Sequence, residues 1–443
     1  MPKGFHWIIA AQFISALADH ALLIVTIAAL TLQGMPGWWA PLLKLGFTLS
    51  YVVLAPVAGP LADGIVKGRL MGWMNAIKGL AALGLLFGLH PVLAFTLAGL
   101  GAAGYAPAKY GLVTELVPPR QLVRANGWIE VSVVCAALLG TGLGGLLVSA
   151  HWLGSAPALA WQEALTVPHG AAAWLPAELA SIASPLGLSL AVLVCLYLVA
   201  GLLNLWIPDS GARYPRAPIH PVALCRDFWR ANLRLWGDRE GGRLSLSVTT
   251  LFWGVGAALQ FIVLRWSQEG LGLDLSQAAY LQAVVAIGVI AGAVVAGRWV
   301  PLRQARRMVW TGIVLGLLMV LMAQVQVLPV AVVLLVCAGA MGGLMVVPLN
   351  ALLQHRGHVL LSAGRSVAVQ GFNENASVLV LVGLYTLVTA AQWPVQRVMG
   401  ILGGAIAVFI AVLWWRDGLA TRGKPDSLHD TSHATSHSTS RED

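Results

Sequence analysis

Charged residues are scarce in this chain of 443 residues, since Asp, Glu, Lys and Arg together make up only 10% of it. A soluble globular domain carries roughly 25% of such residues. Hydrophobic residues account for 58% of the chain, and its mean hydropathy is +0.79. Together with several apolar runs of about 20 residues, this shortage of charge excludes a water-soluble enzyme and predicts a polytopic integral membrane protein.

Motifs for metal binding and for common enzyme chemistry are also lacking. The four cysteines, Cys135, Cys195, Cys225 and Cys337, show neither Cys-x-x-Cys nor Cys/His metal spacing, and we interpret them as packing residues. The sequence has no GxxxxGK(S/T) loop for ATP hydrolysis and no HxxxxD acyl-transfer motif. We therefore expect no cofactor, no metal and no enzymatic activity.

Twelve apolar runs are long enough to cross the roughly 30 Å hydrocarbon core of a bilayer as helices. The first run starts almost at residue 5 and carries Asp19 in its middle, so we interpret it as a retained helix rather than a cleaved signal peptide. The predicted spans are residues 6–32, 40–62, 70–89, 91–116, 122–150, 185–207, 245–268, 277–299, 307–325, 328–353, 364–390 and 395–416.

Lysines and arginines are concentrated in the segments that lie inside if both termini are cytoplasmic. Those segments hold 22 of the 27 basic residues, whereas the outer loops hold two, Lys44 and Arg397. This asymmetry follows the positive-inside rule, so we attribute the net charge of +9 to topology and not to nucleic-acid binding. The stretch from Arg213 to Arg243 contains seven arginines, and attraction to anionic lipid and a purely topogenic role are both open for it.

The predicted fold is an all-α integral membrane protein of two six-helix bundles. The bundles occupy residues 1–207 and 245–416, with a cytoplasmic linker at 208–244 and a disordered cytoplasmic tail at 417–443. The tail is rich in Ser, Thr, His and Asp, a composition that cannot form a core. The outer loop at 151–185 has three tryptophans and no Lys or Arg, which predicts a position at the membrane surface.

A fixed separation of 241 residues relates the first five predicted spans to the seventh to eleventh spans without any insertion. It pairs Pro107 with Pro348, Lys109 with Asn350, Arg124 with Arg365 and Asp19 with Gln260. A parallel repeat of this kind predicts a substrate site between the bundles, near the middle of the membrane.

The loop between the second and third spans, GPLADGIVKGR, resembles the signature loop of the major facilitator superfamily. Gly59 and Asp63 match that pattern in register, and Lys67 and Arg69 supply its basic end, although the residue after Asp63 is not basic. The resemblance implies a cytoplasmic gate in which Asp63 accepts charge-assisted hydrogen bonds. A loop acid among ordinary topogenic residues is the alternative. The predicted gate residues are Gly59, Asp63, Lys67, Arg69, Arg124 and Arg365.

Six further strings resemble the bacterial lysophospholipid transporter family of that superfamily. They are AQFISALADHALL, GYAPAKYGLVTEL, VRANGWIEVS, LFWGVGAAL, VVPLNALLQ and AVQGFNENAS. The resemblance implies a flippase-like carrier that moves lysophosphatidylethanolamine and lysophosphatidylglycerol to the cytoplasmic leaflet of the bacterial inner membrane by alternating access. It also implies functional coupling to an acyltransferase on the cytoplasmic side, which would reacylate these lipids.

Charged side chains inside apolar spans cost about 2.5–3.5 kcal/mol on insertion scales, so each one is a candidate for function. Asp19 has no Lys or Arg within one helical turn, and we predict that it binds a substrate amine or pairs with another helix. Lys109 lies two residues after Pro107, and we predict that it binds a lipid phosphate. Snorkelling of Lys109 to the cytoplasmic surface is the alternative.

A polar cluster in the cytoplasmic halves of the fifth and eleventh spans is predicted to bind glycerol hydroxyls or to close the gate. Glu130 and Glu374 are its acids, and pairing with arginines at the start of the same spans is the alternative. The seventh span departs from the family, which carries arginine where this chain has Gln260, and Arg265 follows five residues later. The predicted substrate-binding residues are Asp19, Lys109, Asn126, Glu130, Gln260, Arg265, Asn350, Gln370 and Glu374.

A proton-coupled drug or metabolite carrier of the same fold is the main alternative function. In such a carrier Asp19, Glu130 or Glu374 would be the group that takes up and releases the proton. Acidification of vesicles on addition of substrate would favour this alternative over lysophospholipid transport.

Overall fold

The computed structural model is helical almost throughout, and no β-strand occurs among the residues that it describes. The predictions for residues 166–183 of the outer loop and 422–443 of the tail lie outside these residues. The described residues are 1–2, 4–36, 39–165, 184–215 and 220–421. The α-helices are α1 (Phe5–Leu32), α2 (Trp39–Gly64), α3 (Lys67–Leu86), α4 (Pro91–Leu116), α5 (Leu122–Leu147), α6 (Ala150–Leu153), α7 (Ala156–Leu165), α8 (Gly187–Leu203), α9 (Pro221–Gly237), α10 (Gly242–Leu271), α11 (Leu275–Trp299), α12 (Trp310–Met322), α13 (Leu328–Leu360), α14 (Ala363–Ala390) and α15 (Val395–Thr421).

Eleven helices in the described part of the chain are long and apolar enough to cross a membrane. Helix α3 has 20 residues but is more polar than the others, because it carries Lys78 and Asn75 in its interior. It packs along α4 and α8, which are both spanning helices, so it completes a set of twelve. The predicted all-helical membrane fold is confirmed.

Prolines and capping side chains define several helix ends. Pro91 occupies the first turn of α4, where the missing proline N–H costs nothing, and the His90 ring accepts a hydrogen bond from the Val92 N–H. Asp274 and Gln277 form a capping box at the start of α11. These caps allow short connections between consecutive spanning helices.

The observed helices run longer than predicted at two places, and the predicted linker contains a helix. Helix α13 continues to Leu360 and α15 to Thr421, beyond the predicted ends at residues 353 and 416. Within the linker, α9 is an amphipathic helix of 17 residues. Its buried face packs against α2 and α14, because Phe228 and Leu235 join an apolar cluster there.

The helices pack as two sets, α1–α8 and α10–α15, which we call the N-half and the C-half. In the N-half, α1 packs on α5 and α8, and α4 packs on α2 and α3. In the C-half, α13 packs on α11, α15 on α12 and α14 on α10. Between the halves, α14 packs on α2 and α4, and α11 packs on α5. Helices α2, α4, α5, α11 and α14 therefore form the boundary at which a site between the halves would lie.

The internal repeat appears in the positions of matching helices. Helix α5 begins at Leu122 and α14 at Ala363, which is the same separation of 241 residues. Arg124 and Arg365 each occupy the third position of these helices. The prolines paired by the repeat lie inside α4 and α13.

We call the end of the bundle near residues 208–241 the linker side and the opposite end the far side. On the linker side, a Cβ atom at Gly59 would lie 2.8 Å from the Cα atom of Arg365. One at Gly127 would lie 2.9 Å from the Ala293 carbonyl oxygen. Glycine at these two positions lets the backbones of the halves approach closely, so the halves are closed against each other on the linker side.

Candidate functional site

Asp19 of α1 lies in a polar cluster inside the N-half. Lys78 of α3 places its Nζ atom 2.7 Å from Asp19 Oδ2 and donates a second hydrogen bond of 3.0 Å to the Ser15 hydroxyl. The Tyr197 hydroxyl of α8 donates to Asp19 Oδ1 at 2.9 Å. Ser15 in turn donates to Asn75 Oδ1 at 2.6 Å. The cluster therefore connects three helices through one buried ion pair.

This arrangement answers the question of what neutralises Asp19. Its partner is Lys78 of the same chain, 59 positions along the sequence. Of the two predicted partners of Asp19, a substrate amine or another helix, the structure contains the second. The side chains of Lys78 and Asp19 are 2% and 15% exposed. A buried pair of this kind is stable only when further hydrogen bonds satisfy both groups, and Ser15 and Tyr197 provide them.

Lys109 lies in α4 with a different kind of partner. Its Nζ atom donates to Gln12 Oε1 of α1 at 2.8 Å, and Gln12 Nε2 donates to the Ser132 hydroxyl of α5 at 3.1 Å. The ammonium lies 4.1 Å from the centre of the Tyr110 ring, close enough for a cation–π contact. Lys109 is buried and forms no ion pair with any described residue. Its direct contacts are with neutral groups, and the carboxyl groups of Glu130 and Asp19 lie within electrostatic range of the ammonium.

The C-half presents a chain of amides that ends at a carboxylate. Gln370 Nε2 of α14 donates to Asn350 Oδ1 of α13 at 3.0 Å and to Glu374 Oε1 at 2.8 Å. Glu130 lies on α5 of the N-half and is 5% exposed. Neither acid forms an ion pair with an arginine among the described residues. The structure thus brings together Asn350, Gln370 and Glu374 of the predicted substrate-binding residues.

Asn126 belongs to a contact between the halves and not to the amide chain. Asn126 of α5 and Gln354 of α13 exchange two hydrogen bonds of 2.9 Å. Both side chains are buried, so each amide satisfies the other where water has no access. Asn126 and Gln354 therefore help to hold the halves together on the linker side.

Gln260 and Arg265 of α10 lie apart from the polar clusters described above. Lys44 of α2 donates to Gln260 Oε1 at 2.8 Å, which joins the halves on the far side. Arg265 forms an ion pair of 2.5 Å with Glu269, one turn further along the same helix. Arg265 thus has a local partner, and Lys44 is the cation next to Gln260.

Asp63 at the end of α2 makes a second contact between the halves on the linker side. It accepts a hydrogen bond of 2.9 Å from the backbone N–H of Gly364 and another from the Ser362 hydroxyl. These donors lie at the start of α14, where the helix dipole favours a negative charge. Gly59, one turn earlier in α2, contacts the backbone of Arg365. The Asp63 carboxylate and the Gly59 contact thus fasten α2 to the start of α14.

The remaining predicted gate residues divide into buried and exposed ones. Lys67 forms a buried ion pair of 2.6 Å with Glu115 at the end of α4. Tyr214, in the segment after α8, donates to Glu115 at 2.9 Å. Burial and the neighbouring Glu115 carboxylate raise the pKa of Tyr214, so its hydroxyl stays a neutral donor. Arg69 and Arg124 have exposed side chains on this side.

Several polar residues of these clusters were not recognised from the sequence. Lys78 is a basic residue within the predicted span 70–89, and this position could have identified it as a partner for Asp19. The others are single amides or hydroxyls in apolar helices, which have no spacing that distinguishes them from packing residues. These residues are Gln12, Ser15, Asn75, Ser132, Tyr197 and Gln354.

The fold and the polar boundary between two six-helix sets are those of a membrane transporter. Residues 8–363 match the family model of the Major Facilitator Superfamily. The chain belongs to this superfamily, as its signature loop indicated.

The chain is 38% identical over 392 residues to the Lysophospholipid transporter LplT of Yersinia pestis (strain Pestoides F), with 88% of each chain covered. The LplT of Yersinia pseudotuberculosis serotype O:3 (strain YPIII) matches with the same identity and coverage. Among solved structures, a single-site variant of the E. coli fucose:proton symporter FucP has a TM-score of 0.68 at 15% identity, covering 94% of this chain and 98% of FucP. The human organic anion transporter MFSD10 has a TM-score of 0.65 at 14% identity, covering 94% of this chain and all of MFSD10. The two solved structures support the fold alone.

Proposed function

We propose that this protein transports lysophospholipids across a bacterial inner membrane by alternating access. The observation that carries the proposal is Lys109, a buried intramembrane ammonium held by neutral side chains. It lies in a chain that is 38% identical to the LplT of Yersinia pestis. A lysophospholipid has one phosphate and one acyl chain, so its carrier needs an anion receptor within apolar walls.

In this proposal Lys109 binds the phosphate and exchanges its hydrogen bond to Gln12 for one to a phosphate oxygen. Charge-assisted bonds of this kind are roughly twice as strong as neutral ones. The Tyr110 ring beside the ammonium offers an apolar surface to the start of the acyl chain. The amide chain of the C-half, Asn350 to Glu374, faces the glycerol and head-group hydroxyls, together with Glu130.

We assign Asp19 to the head group in a modified form, because Lys78 already neutralises it. An ethanolamine ammonium would join the Asp19–Lys78 pair by sharing the carboxylate, in place of the Tyr197 hydrogen bond at Oδ1. A glycerol head group has no cation to offer. Asp19→Asn should therefore weaken uptake of the ethanolamine lysolipid more than that of the glycerol lysolipid. Equal losses for both lipids would leave Asp19 a structural acid.

Transport in this proposal runs from the far side to the linker side. We propose that the linker side is cytoplasmic and that both termini lie there, since the arginine-rich segments surround it. The bundles at 1–207 and 245–416 would rock about the site, with 208–244 as the linker. Lipid taken from the outer leaflet would leave in the cytoplasmic leaflet, where an acyltransferase would reacylate it.

The gate in this cycle is the set of contacts between the halves on the linker side. Three of these contacts would separate when the cytoplasmic side opens. They join Asp63 to Gly364, Gly59 to Arg365 and Asn126 to Gln354. Lys67 with Glu115 lies within the N-half and would stay formed, so it supports the signature loop. We therefore do not count Lys67 among the residues whose contacts separate when the gate opens.

Uptake of labelled lysophosphatidylglycerol by vesicles that contain the purified protein tests the proposal. Lys109→Gln keeps a donor for Gln12 but removes the charge, and we expect it to abolish uptake. Arg303→Gln removes one exposed positive charge on the linker side and is the matched control. Uptake by the Lys109 variant at the wild-type rate would overturn the role of Lys109 as the phosphate receptor.

The same vesicles separate this function from a proton-coupled carrier. The observation that keeps the alternative open is that Glu130 and Glu374 are acids within spanning helices without an ion pair among the described residues. A pH-sensitive dye in the lumen would report a proton that moves with the substrate. We expect lysolipid uptake without a stoichiometric change of luminal pH.

A further inference from the structure

Lys44 bridges the two halves on the far side. It lies in the second turn of α2, and its Nζ atom is 2.8 Å from Gln260 Oε1 of α10. The same ammonium lies 5.8 Å from the centre of the Phe261 ring. The Lys44 side chain is exposed, so the bridge is open to its surroundings.

The C-half side of this bridge is held in place by three helices. Gln282 of α11 donates to the Gln260 backbone oxygen at 2.9 Å. Phe261 stacks on Tyr385 of α14, with ring centres 6.1 Å apart and planes inclined by 18°. An amide and an aromatic face are thus fixed side by side, and the flexible lysine reaches them from the other half.

The charge balance distinguishes Lys44 from the basic residues that hold the fold together. Lys67, Lys78 and Arg356 each form an ion pair with a carboxylate, at 2.6, 2.7 and 2.9 Å. Lys44 forms no ion pair with any described residue, and Glu269, the next acid after Gln260 along α10, pairs with Arg265. The Lys44 ammonium contacts an amide oxygen and an aromatic ring. Neither group carries a negative charge, so the positive charge is not neutralised and can still attract an anion.

The position of Lys44 connects the far side with the proposed phosphate receptor. Helix α2 packs along α4, which carries Lys109 in its linker-side half. Towards the linker side the seam beside α2 is filled, because α2 packs there on α14 and α9. Towards the far side, Lys44 of α2 reaches across the boundary between the halves to Gln260 of α10. A single-chain lipid that enters between α2 and α10 would meet Lys44 before it reaches Lys109.

We propose that Lys44 and Gln260 form an entrance site for the phosphate group of a single-chain phospholipid, from which the phosphate passes to Lys109. This inference rests on the proposed function and adds a first binding step to it. The phosphate replaces Gln260 Oε1 as the acceptor of Lys44, and the freed Gln260 amide donates its Nε2 hydrogens to a phosphate oxygen. Phe261 packs against the beginning of the acyl chain.

Equilibrium binding of lysophosphatidylglycerol to the purified full-length protein tests the entrance site independently of transport. Lys44→Gln should weaken this binding about tenfold, because it removes one charge-assisted hydrogen bond. Gln260→Glu should weaken it similarly, since the new carboxylate would pair with Lys44 and repel phosphate. Lys44→Arg, which keeps the charge, should bind within about twofold of the wild type.

Monoacylglycerol, which has an acyl chain but no phosphate, is the matched control ligand. Its binding should be unchanged in Lys44→Gln and in Gln260→Glu. Equal losses for both ligands would show that Lys44 only supports the structure, and wild-type affinity in Lys44→Gln would also overturn the entrance site. Failure of the proposed function would give a different result. Vesicles of the wild-type protein would then take up no lysolipid, while the tenfold difference in binding between the wild type and Lys44→Gln would persist.

Discussion

The polar centres of the two halves differ in charge although the helices that carry them are related by the repeat. In the N-half, Asp19, Lys78 and Lys109 are charged and lie within spanning helices. At the matching positions of the C-half, Gln260 replaces Asp19 and Asn350 replaces Lys109. The repeat has therefore kept the helix positions and changed the chemistry. In the proposed cycle the charged groups of the N-half bind the charged parts of the lipid, and the C-half offers its amides and the Glu374 carboxylate to the hydroxyls.

The largest effect should come from breaking the ion pair at the centre of the N-half. Lys78→Met leaves Asp19 as a buried charge without a cationic partner, which costs about 3–5 kcal/mol. The double variant Asp19→Asn with Lys78→Met removes both charges and should recover most of this loss. Thermal unfolding of the purified proteins measures both. If the single variant is as stable as the wild type, the pair does not hold α1 to α3.

The next largest effect tests whether the residues at the matching positions 109 and 350 of the two halves are interchangeable. Lys109→Asn gives the N-half the residue of the C-half, and uptake should fall by about tenfold or more with the loss of a charge-assisted bond. Adding Asn350→Lys should not restore uptake, because Gln370 and Glu374 lie beside position 350 and the carboxylate would neutralise the new lysine. Restored uptake in the double variant would mean that the halves are interchangeable.

A smaller effect is expected at the linker-side gate, which joins the two halves through α2 and α14. Asp63→Asn keeps an acceptor for the Gly364 N–H but removes the negative charge, so the closed state should lose about 1 kcal/mol. Labelling of a cysteine introduced at Ala293, opposite Gly127, should then become faster from the linker side. The control is Arg303→Gln, an exposed basic residue on the same side of the bundle. Unchanged labelling would show that Asp63 does not help to keep the gate closed.

The smallest effect should come from the amide chain of the C-half. Asn350→Ala removes the hydrogen bond from Gln370, which keeps its second bond to Glu374, so stability should change by about 1 kcal/mol. Uptake should remain within about threefold of the wild type, in contrast to the matching change at Lys109. A loss as large as that of Lys109→Asn would contradict the division of roles between the halves.

The sequence alone determined the spanning helices, their number and the superfamily. Apolar runs of sufficient length specify spanning helices because a bilayer forces each segment to satisfy its own backbone hydrogen bonds. The repeat and the signature loop then specified the two-bundle arrangement. Lys109 could be selected because a charge in an apolar span is costly wherever the helix packs.

Only the tertiary structure decided which polar groups meet. Asp19 and Lys78 are 59 positions apart, and Lys44 and Gln260 are 216 apart. Such pairs depend on how helices are rotated about their axes and which of them are neighbours, and neither property is encoded in local spacing. The same limit explains why the Asn126–Gln354 contact was not foreseen. The linker helix α9 differs, because its amphipathic periodicity is a local property that the sequence carries. Hydropathy defines where a chain crosses the membrane, whereas side-chain packing between helices defines which charges are neutralised and which remain free to bind.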